Sequence, residues 1–204
     1  MIEACAGLIL CGGDSRRMGK PKACLPFGDE PLLSRVVSQL SEVVAPIVVV
    51  GATDMPLPPL PAGVEYLCDR QPDRGQLEGL RVGLAALASQ APAAFVVGCH
   101  YPFVAPAYIE RLATLSAGHD AAVVRVDGRF HPLAAVYRTS LVANIDELLE
   151  SGHSALLDLI TRSNVRLVEP TELADLPSPT DSLQNVNTPE EYAAALVQAG
   201  FAAT

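Results

Sequence analysis

The sequence lacks any apolar run that approaches the length of a membrane-spanning helix. Its first apolar run, Ala4 to Cys11, is short and follows an acidic residue instead of the basic residues that begin a secretory signal. The five cysteines are odd in number and contain no Cys-x-x-Cys pattern, which argues against a disulfide framework or a structural zinc site. These absences predict a cytoplasmic protein with reduced thiols, no targeting segment and no membrane partner.

Basic residues are also scarce, because 14 Lys and Arg stand against 23 Asp and Glu and the formal net charge is -9. An acidic surface repels nucleic acid, so DNA and RNA are not expected as partners. The exception is the segment 16–22, which holds four basic residues, including both lysines of the chain. This local positive charge on an acidic protein predicts a site for an anionic ligand.

The segment 11–22 reads Cys-Gly-Gly-Asp-Ser-Arg-Arg-Met-Gly-Lys-Pro-Lys and follows the first apolar run. Its glycines allow backbone N–H groups to surround an anion, while Arg17 and Lys22 can neutralise charge on phosphoryl oxygens. We therefore predict nucleotidyl or phosphoryl transfer. The alternative is a polar surface loop that binds nothing.

Two better-known phosphate-binding loops are excluded by the spacing. Five residues separate Gly13 from Gly19, and Lys20 is followed by Pro21 instead of Ser or Thr, so the segment is not a P-loop. No Gly-x-Gly-x-x-Gly follows the first predicted strand, so the dinucleotide-binding fingerprint is missing too.

Short apolar runs alternate with segments of helical periodicity, which predicts a three-layer α/β/α fold with a mostly parallel sheet. Asp127-Gly128 predicts a tight hairpin and one antiparallel strand, so the sheet should be mixed. A hydrophobic fraction of 50% over 204 residues suits a single domain spanning residues 1–204. The predicted strands are 5–10, 47–50, 64–67, 95–98, 121–126, 133–137 and 165–168. The predicted helices are 31–44, 77–87, 108–115, 141–150, 155–162 and one that begins at 189.

Ligands of open α/β sheets bind outside the carboxyl ends of the strands, so residues that directly follow predicted strands are candidates. The Gly12-Gly13 pair follows the first strand, Asp69 the third and His100 the fourth. Cys11, Cys24 and Cys99 lie near the predicted site. Since no acid–base partners are close to them in the sequence, we expect small apolar fillers and not nucleophiles.

Several motifs occur in a characteristic order from residue 7 to about residue 196, and together they resemble the MobA family of molybdenum cofactor guanylyltransferases. The motifs are Leu-x-Gly-Gly-x-Ser-x-Arg-Met-Gly from Leu10 followed by Lys22, then Gly75-x-Leu77-x-Gly79-Leu80, Gly98-Cys99-x-x-Pro102-Phe103-Val104, His131-Pro132 and Asn185-Val186-Asn187-Thr188-Pro189. The first and the last are the most specific.

The resemblance implies a nucleotide-diphospho-sugar transferase-like fold and the transfer of GMP from GTP to molybdopterin cofactor. The products would be molybdopterin guanine dinucleotide and pyrophosphate, with Mg²⁺ as cofactor and a molybdoenzyme chaperone as a further partner. By position, the implied site residues are Leu10, Cys11, Gly12 and Gly13 at the nucleotide, Lys22 and Arg17 at the phosphates, Asp69 at the nucleoside, and Asn185 and Asn187 at the acceptor.

His100 departs from the family pattern, in which an Asp at this position binds Mg²⁺. Mg²⁺ prefers oxygen ligands, while imidazole better suits softer divalent ions. Three interpretations stay open: His100 binds another divalent ion such as Mn²⁺, a neighbouring carboxylate (Asp69 or Asp73) replaces the lost one, or the protein binds GTP without turnover. A cytidylyl or sugar-nucleotide transferase on the same fold is the rival enzyme.

Overall fold

The computed structural model describes residues 5–12, 21–69, 71 and 74–202. In this part of the chain the strands are β1 (Cys5–Cys11), β2 (Pro26–Phe27), β3 (Glu30–Pro31), β4 (Ile47–Ala52), β5 (Val64–Asp69), β6 (Ala93–Gly98), β7 (Ala121–Val126), β8 (Arg129–Phe130), β9 (Ala134–Arg138) and β10 (Val165–Val168). The helices are α1 (Leu32–Ser41), α2 (Gly75–Leu87), α3 (Pro106–Leu115), α4 (Val142–Glu150), α5 (Leu156–Arg162) and α6 (Pro189–Gln198). A bilayer-spanning helix is absent from the described residues, where each helix is too short or too polar for that role.

The main sheet has eight strands in the order β10-β7-β9-β6-β1-β4-β5, with β8 paired to β7. Strands β6, β1, β4 and β5 run parallel, whereas β9 is antiparallel to both β6 and β7. The predicted mixed, mostly parallel sheet is therefore confirmed. β1 lies in its middle and is buried along its whole length, as expected for a continuous apolar strand covered on both faces.

Helices cover the two faces of the sheet, as the three-layer prediction requires. Successive residues of a strand face opposite sides, so Gly7 and Leu8 of β1 face different layers. A Cβ atom on Gly7 would meet Leu40 of α1 at 3.1 Å, and one on Gly83 of α2 would meet Leu8 at 2.3 Å. Helices α1 and α2 therefore pack closely on opposite faces of β1.

The Asp127-Gly128 turn forms the predicted hairpin between β7 and β8. Both residues have positive φ, 48° and 77°, which is the backbone of the two-residue turn that this dipeptide favours. The returning chain then forms β9 between β6 and β7. The antiparallel strand was thus predictable from one local turn signal.

Some predicted boundaries were wrong. Helix α1 ends at Ser41, and the buried Val43 and Val44 follow it in a turn, because an apolar stripe reports burial and not the end of the helix. Pro31 lies in β3 and caps α1 instead of occupying its first turn. The sequence prediction also missed the β2–β3 hairpin, whose two-residue strands are too short for a periodicity signal.

Helix α6 begins at Pro189, as predicted, and Thr188 and Glu191 form a capping box at its start. The Thr188 hydroxyl accepts a hydrogen bond from the Glu191 N–H at 3.2 Å. The Glu191 carboxylate in turn accepts from the backbone N–H of Asn187 at 2.7 Å and of Thr188 at 3.2 Å. The box satisfies N–H groups at the helix start and holds the preceding asparagine segment in one conformation.

We expect Thr188→Ala to lower the free energy of unfolding by about 1 kcal/mol, because the Glu191 N–H loses its side-chain acceptor. Denaturant unfolding followed by circular dichroism measures the change. Thr188→Ser keeps the hydroxyl and is the matched control, with most of the stability retained. Equal losses in the two variants would contradict a capping role.

Candidate functional site

A cavity of about 180 Å³ opens at the carboxyl ends of β1, β4 and β5, where the order of the parallel strands reverses around β1. This is the place where open α/β sheets bind ligands. The cavity is lined by Leu10, Cys11, Gly12, Val50, Gly51, Ala52, Asp69, Gly75, Gln76, Gly79, His100 and Leu133. Its walls combine apolar side chains with few polar groups, as is typical of small-molecule sites.

Five residues singled out in the sequence line this one cavity: Leu10, Cys11, Gly12, Asp69 and His100. They come from the ends of β1, β5 and β6, which the parallel pairing of β6 with β1, β1 with β4 and β4 with β5 brings to one edge of the sheet. The structure brings these five residues together, and their contacts with a nucleotide stay a prediction. The predicted nucleotide-binding residue Gly13, the predicted phosphate-binding residue Arg17 and the alternative metal ligand Asp73 lie outside the described residues.

Lys22, Asn185 and Asn187 form a second group of predicted site residues. The Lys22 ammonium donates to Asn187 Oδ1 at 2.7 Å, and Asn187 Nδ2 donates to Asn185 Oδ1 at 3.1 Å. The backbone N–H of Val186 donates to the His100 carbonyl at 3.0 Å, which places this group beside the segment after β6. The residues that the family pattern assigns to phosphate and to acceptor are therefore in direct contact.

His100 is 9% exposed and its ring lies 4.9 Å, centroid to centroid, from the Tyr101 ring. The imidazole folds over Gly98, where a Cβ atom would meet its Cε1 at 2.5 Å. Glycine at position 98 thus leaves the space that the histidine ring occupies. The His100 ring reaches the cavity at the position where the family pattern has a carboxylate.

The residues present fit a divalent ion only in part. The described part of the chain contains no group of three or more His, Cys, Asp or Glu that could hold a metal by protein ligands alone. Asp69, 8% exposed at the end of β5, is the lining residue with the hard oxygen ligands that Mg²⁺ prefers. Since Mg²⁺ is commonly held by one or two carboxylates together with substrate phosphates, Asp69 would hold it with the nucleotide.

Comparison with known proteins identifies the family. A family model described as the MobA-like NTP transferase domain matches residues 7–167. The chain belongs to this family. It is 40% identical over 163 residues to the Mycobacterium tuberculosis protein named "Probable molybdenum cofactor guanylyltransferase", covering 78% of this chain and 80% of the relative. A Pelotomaculum thermopropionicum protein of the same name is 33% identical over 199 residues, covering 98% and 95%.

A solved structure shares the fold along nearly the whole chain. The molybdopterin-guanine dinucleotide biosynthesis protein A from Archaeoglobus fulgidus superposes with a TM-score of 0.77 at 23% identity, covering 96% of this chain and 98% of that one. The fold is therefore that of the nucleotide-diphospho-sugar transferases. As a member of the MobA-like family, the protein is a nucleotidyltransferase.

Sequence reasoning missed several lining residues, above all those at the start of α2. Gln76 was not singled out, and Gly75 and Gly79 were quoted only as part of the family motif. A Cβ atom on Gly79 would meet Leu10 at 3.5 Å, so a larger side chain there would fill the cavity. The usable signal was a pair of glycines four residues apart at a predicted helix start, because such spacing puts both on one helix face.

Two cysteines have partners that the sequence did not reveal. Interaction between the buried Cys11 and Cys99 thiols raises the pKa of Cys11, and burial raises it further. The same interaction lowers the pKa of Cys99, as does the adjacent His100, whereas burial opposes this lowering. The expectation of inert fillers thus overlooked a contact between residues at the ends of neighbouring strands.

Helix α2, whose first turns line the cavity, carries a buried carboxylate. Glu78 is 2% exposed and accepts two hydrogen bonds from Arg81, at 2.9 and 2.6 Å. Arg81 also lies 3.7 Å from Asp146 of α4. A buried charge needs such a partner, and here the pairing fixes α2 against the neighbouring helix.

Proposed function

We propose that the protein transfers GMP from GTP to the phosphate of molybdopterin cofactor, forming molybdopterin guanine dinucleotide and releasing pyrophosphate. One observation carries the proposal: among the described residues, those that the family pattern assigns to the nucleoside line one cavity, and Lys22 is hydrogen-bonded to the asparagine pair assigned to the acceptor. The name of the relatives, "Probable molybdenum cofactor guanylyltransferase", supports the same reaction.

The nucleoside would occupy the cavity at the strand ends. Leu10 and Gly12 supply an apolar and backbone surface for the base, and the narrow volume suits a planar ring. The Asp69 carboxylate accepts hydrogen bonds, which fits donors on the ribose or on the guanine edge. Gln76 lies at the exposed side of the same cavity.

The reaction needs little covalent help from the protein. An oxygen of the acceptor phosphate attacks the α-phosphorus of GTP, a new P–O bond forms, and the bond to the β-phosphate oxygen breaks to release pyrophosphate. A phosphate monoester is already anionic near neutral pH, so no general base is required. The barrier lies in bringing two polyanions together, and it is lowered by positioning and by cations.

Lys22 and Arg17 are the cations that we assign to this task. The Lys22 ammonium is held by Asn187 Oδ1 at 2.7 Å, so its charge has a defined position before substrates arrive. A divalent ion, Mg²⁺ or Mn²⁺, would add positive charge at the phosphoryl oxygens when bound. Asp69 and His100 are the candidate ligands, and an Asp69 carboxylate that holds the ion would do so in place of its contact with the nucleoside.

His100 motivates the second candidate function, a relative that binds GTP without turnover. A histidine where the family pattern has a metal-binding carboxylate removes the ligand that Mg²⁺ prefers. A cytidylyl or sugar-nucleotide transferase is the remaining alternative. The Gly12-Gly13 and Asn185-Val186-Asn187 motifs favour guanine by resemblance.

One assay separates the three functions. Purified protein is incubated with molybdopterin cofactor, one of GTP, CTP, ATP or UTP, and either Mg²⁺ or Mn²⁺, and both pyrophosphate and dinucleotide are measured. We expect product with GTP and little with the other three. Product with CTP instead identifies the rival enzyme, and GTP binding by calorimetry without pyrophosphate release identifies the non-catalytic relative.

A further inference from the structure

A chain of hydrogen bonds runs from Lys22 to a tyrosine that no motif singled out as a site residue. Lys22 Nζ donates to Asn187 Oδ1 at 2.7 Å, Asn187 Nδ2 to Asn185 Oδ1 at 3.1 Å, and Asn185 Nδ2 to the Tyr101 hydroxyl oxygen at 3.3 Å. The links cross from the segment before α1 to the segment before α6 and then to the segment after β6.

The donor and the acceptor of each bond follow from the chemistry of Lys22, at one end of the chain of hydrogen bonds. A lysine ammonium can only donate, so the Asn187 oxygen must face Lys22 and the Asn187 nitrogen faces Asn185. The same reasoning turns the Asn185 oxygen towards Asn187 and its nitrogen towards Tyr101. The Tyr101 hydroxyl, which can donate or accept, is thus the acceptor that ends the chain and holds the Asn185 amide.

Tyr101 is well suited to be a fixed end of this chain. It is 3% exposed, and its ring packs against His100 at 4.9 Å between centroids. The Val186 N–H, bonded to the His100 carbonyl at 3.0 Å, holds the asparagine segment against the same stretch of backbone. The phenol therefore has little freedom to follow Asn185 if the amide moves.

We infer that Tyr101 is a positioning residue for the acceptor side of the site: its hydroxyl orients Asn185 and, through Asn187, the ammonium of Lys22. The inference rests on the proposed function, because Asn185, Asn187 and Lys22 are the residues assigned there to acceptor and phosphate. A tyrosine that only filled space would do so equally well without its hydroxyl, and this difference is testable.

Tyr101→Phe removes the hydroxyl and keeps the ring. We expect the KM for molybdopterin cofactor to rise about three- to tenfold, as for the loss of one hydrogen bond. The KM for GTP should stay within about twofold, because Lys22 keeps its charge and its hydrogen bond to Asn187. Steady-state pyrophosphate release at varied concentrations of each substrate separates the two constants. A general loss of structure would not raise only one of them.

A second measurement reads the chain of hydrogen bonds without turnover. The protein has two lysines, so NMR of protein labelled with ¹³C only in lysine gives two side-chain Cε signals, and Lys22→Arg identifies the one from Lys22. We expect Tyr101→Phe to shift the Lys22 signal. Asn185→Ala breaks the same chain at its next link and should shift that signal too, which keeps the test valid if Tyr101→Phe folds poorly.

Tyr108→Phe is the matched control. Tyr108 is also buried, and its hydroxyl donates to the Ala134 carbonyl at 2.7 Å, outside the chain of hydrogen bonds. It should leave the Lys22 signal and the acceptor KM unchanged. An unshifted Lys22 signal in both Tyr101→Phe and Asn185→Ala overturns the inference, as does an unchanged acceptor KM in Tyr101→Phe. If the unmodified protein transfers no GMP to molybdopterin, the proposed function fails, and the Lys22 signal alone then decides the role of Tyr101.

Discussion

Lys22→Ala should lower kcat/KM for GMP transfer about 100- to 1,000-fold, the usual effect of removing one positioned group that stabilises charge in the transition state. The loss should be large because the net charge of the protein is -9, so two bound polyanions depend on the few cations assigned to the site, Lys22 and Arg17. Steady-state pyrophosphate release measures it. Calorimetry with GTP shows how much of the loss already arises in binding.

Two controls accompany this variant. Lys22→Arg keeps the charge but replaces a compact ammonium by a planar group, so we expect intermediate activity. Arg138→Ala also removes one positive charge, but far from the cavity. Arg138 is exposed and pairs with Ala93, which begins β6, whereas the cavity lies beyond the other end of that strand. This variant should keep activity within about twofold. An equal loss in Lys22→Ala and Arg138→Ala would show that overall charge matters and not the position of Lys22.

His100→Asp should raise turnover in Mg²⁺ by about tenfold or more, because it restores a hard oxygen ligand at the cavity. In the unmodified protein, Mn²⁺ or Co²⁺ in place of Mg²⁺ should raise turnover by part of the same amount, because imidazole binds softer ions better than it binds Mg²⁺. Rates for both proteins in each metal ion, measured with saturating substrates, give the comparison. The expected pattern is a change of metal preference and not a uniform change of rate.

Two further variants, His100→Asn and His119→Asp, test whether a carboxylate at position 100 causes the rise in turnover. His100→Asn is similar in size to the aspartate variant but has no charge, so it should not raise the rate in Mg²⁺. His119→Asp adds a carboxylate at an exposed turn and should change nothing. Equal rates for the unmodified protein and His100→Asp in Mg²⁺ would refute the view that a missing carboxylate limits turnover.

Local rules predicted the parts of the fold that depend on near neighbours in the chain. The Asp127-Gly128 hairpin depends on two residues that accept positive φ, and the start of α6 depends on Thr188 and Glu191. The carboxyl end of α1 could not be predicted in this way, because the apolar stripe continues through Val43 and Val44 after the helix has ended. Burial and helical hydrogen bonding coincide only inside an element.

The amino-acid sequence by itself determined the layered α/β fold, the family and the candidate residues at the strand ends, since these follow from short-range patterns and motif order. Only the tertiary structure decided which side chains meet. Lys22 and Asn187 are 165 residues apart in the sequence but directly hydrogen-bonded, and Tyr101 is connected to this pair through Asn185. Such contacts depend on how crossover segments pack above a common sheet edge, and no local pattern records that packing.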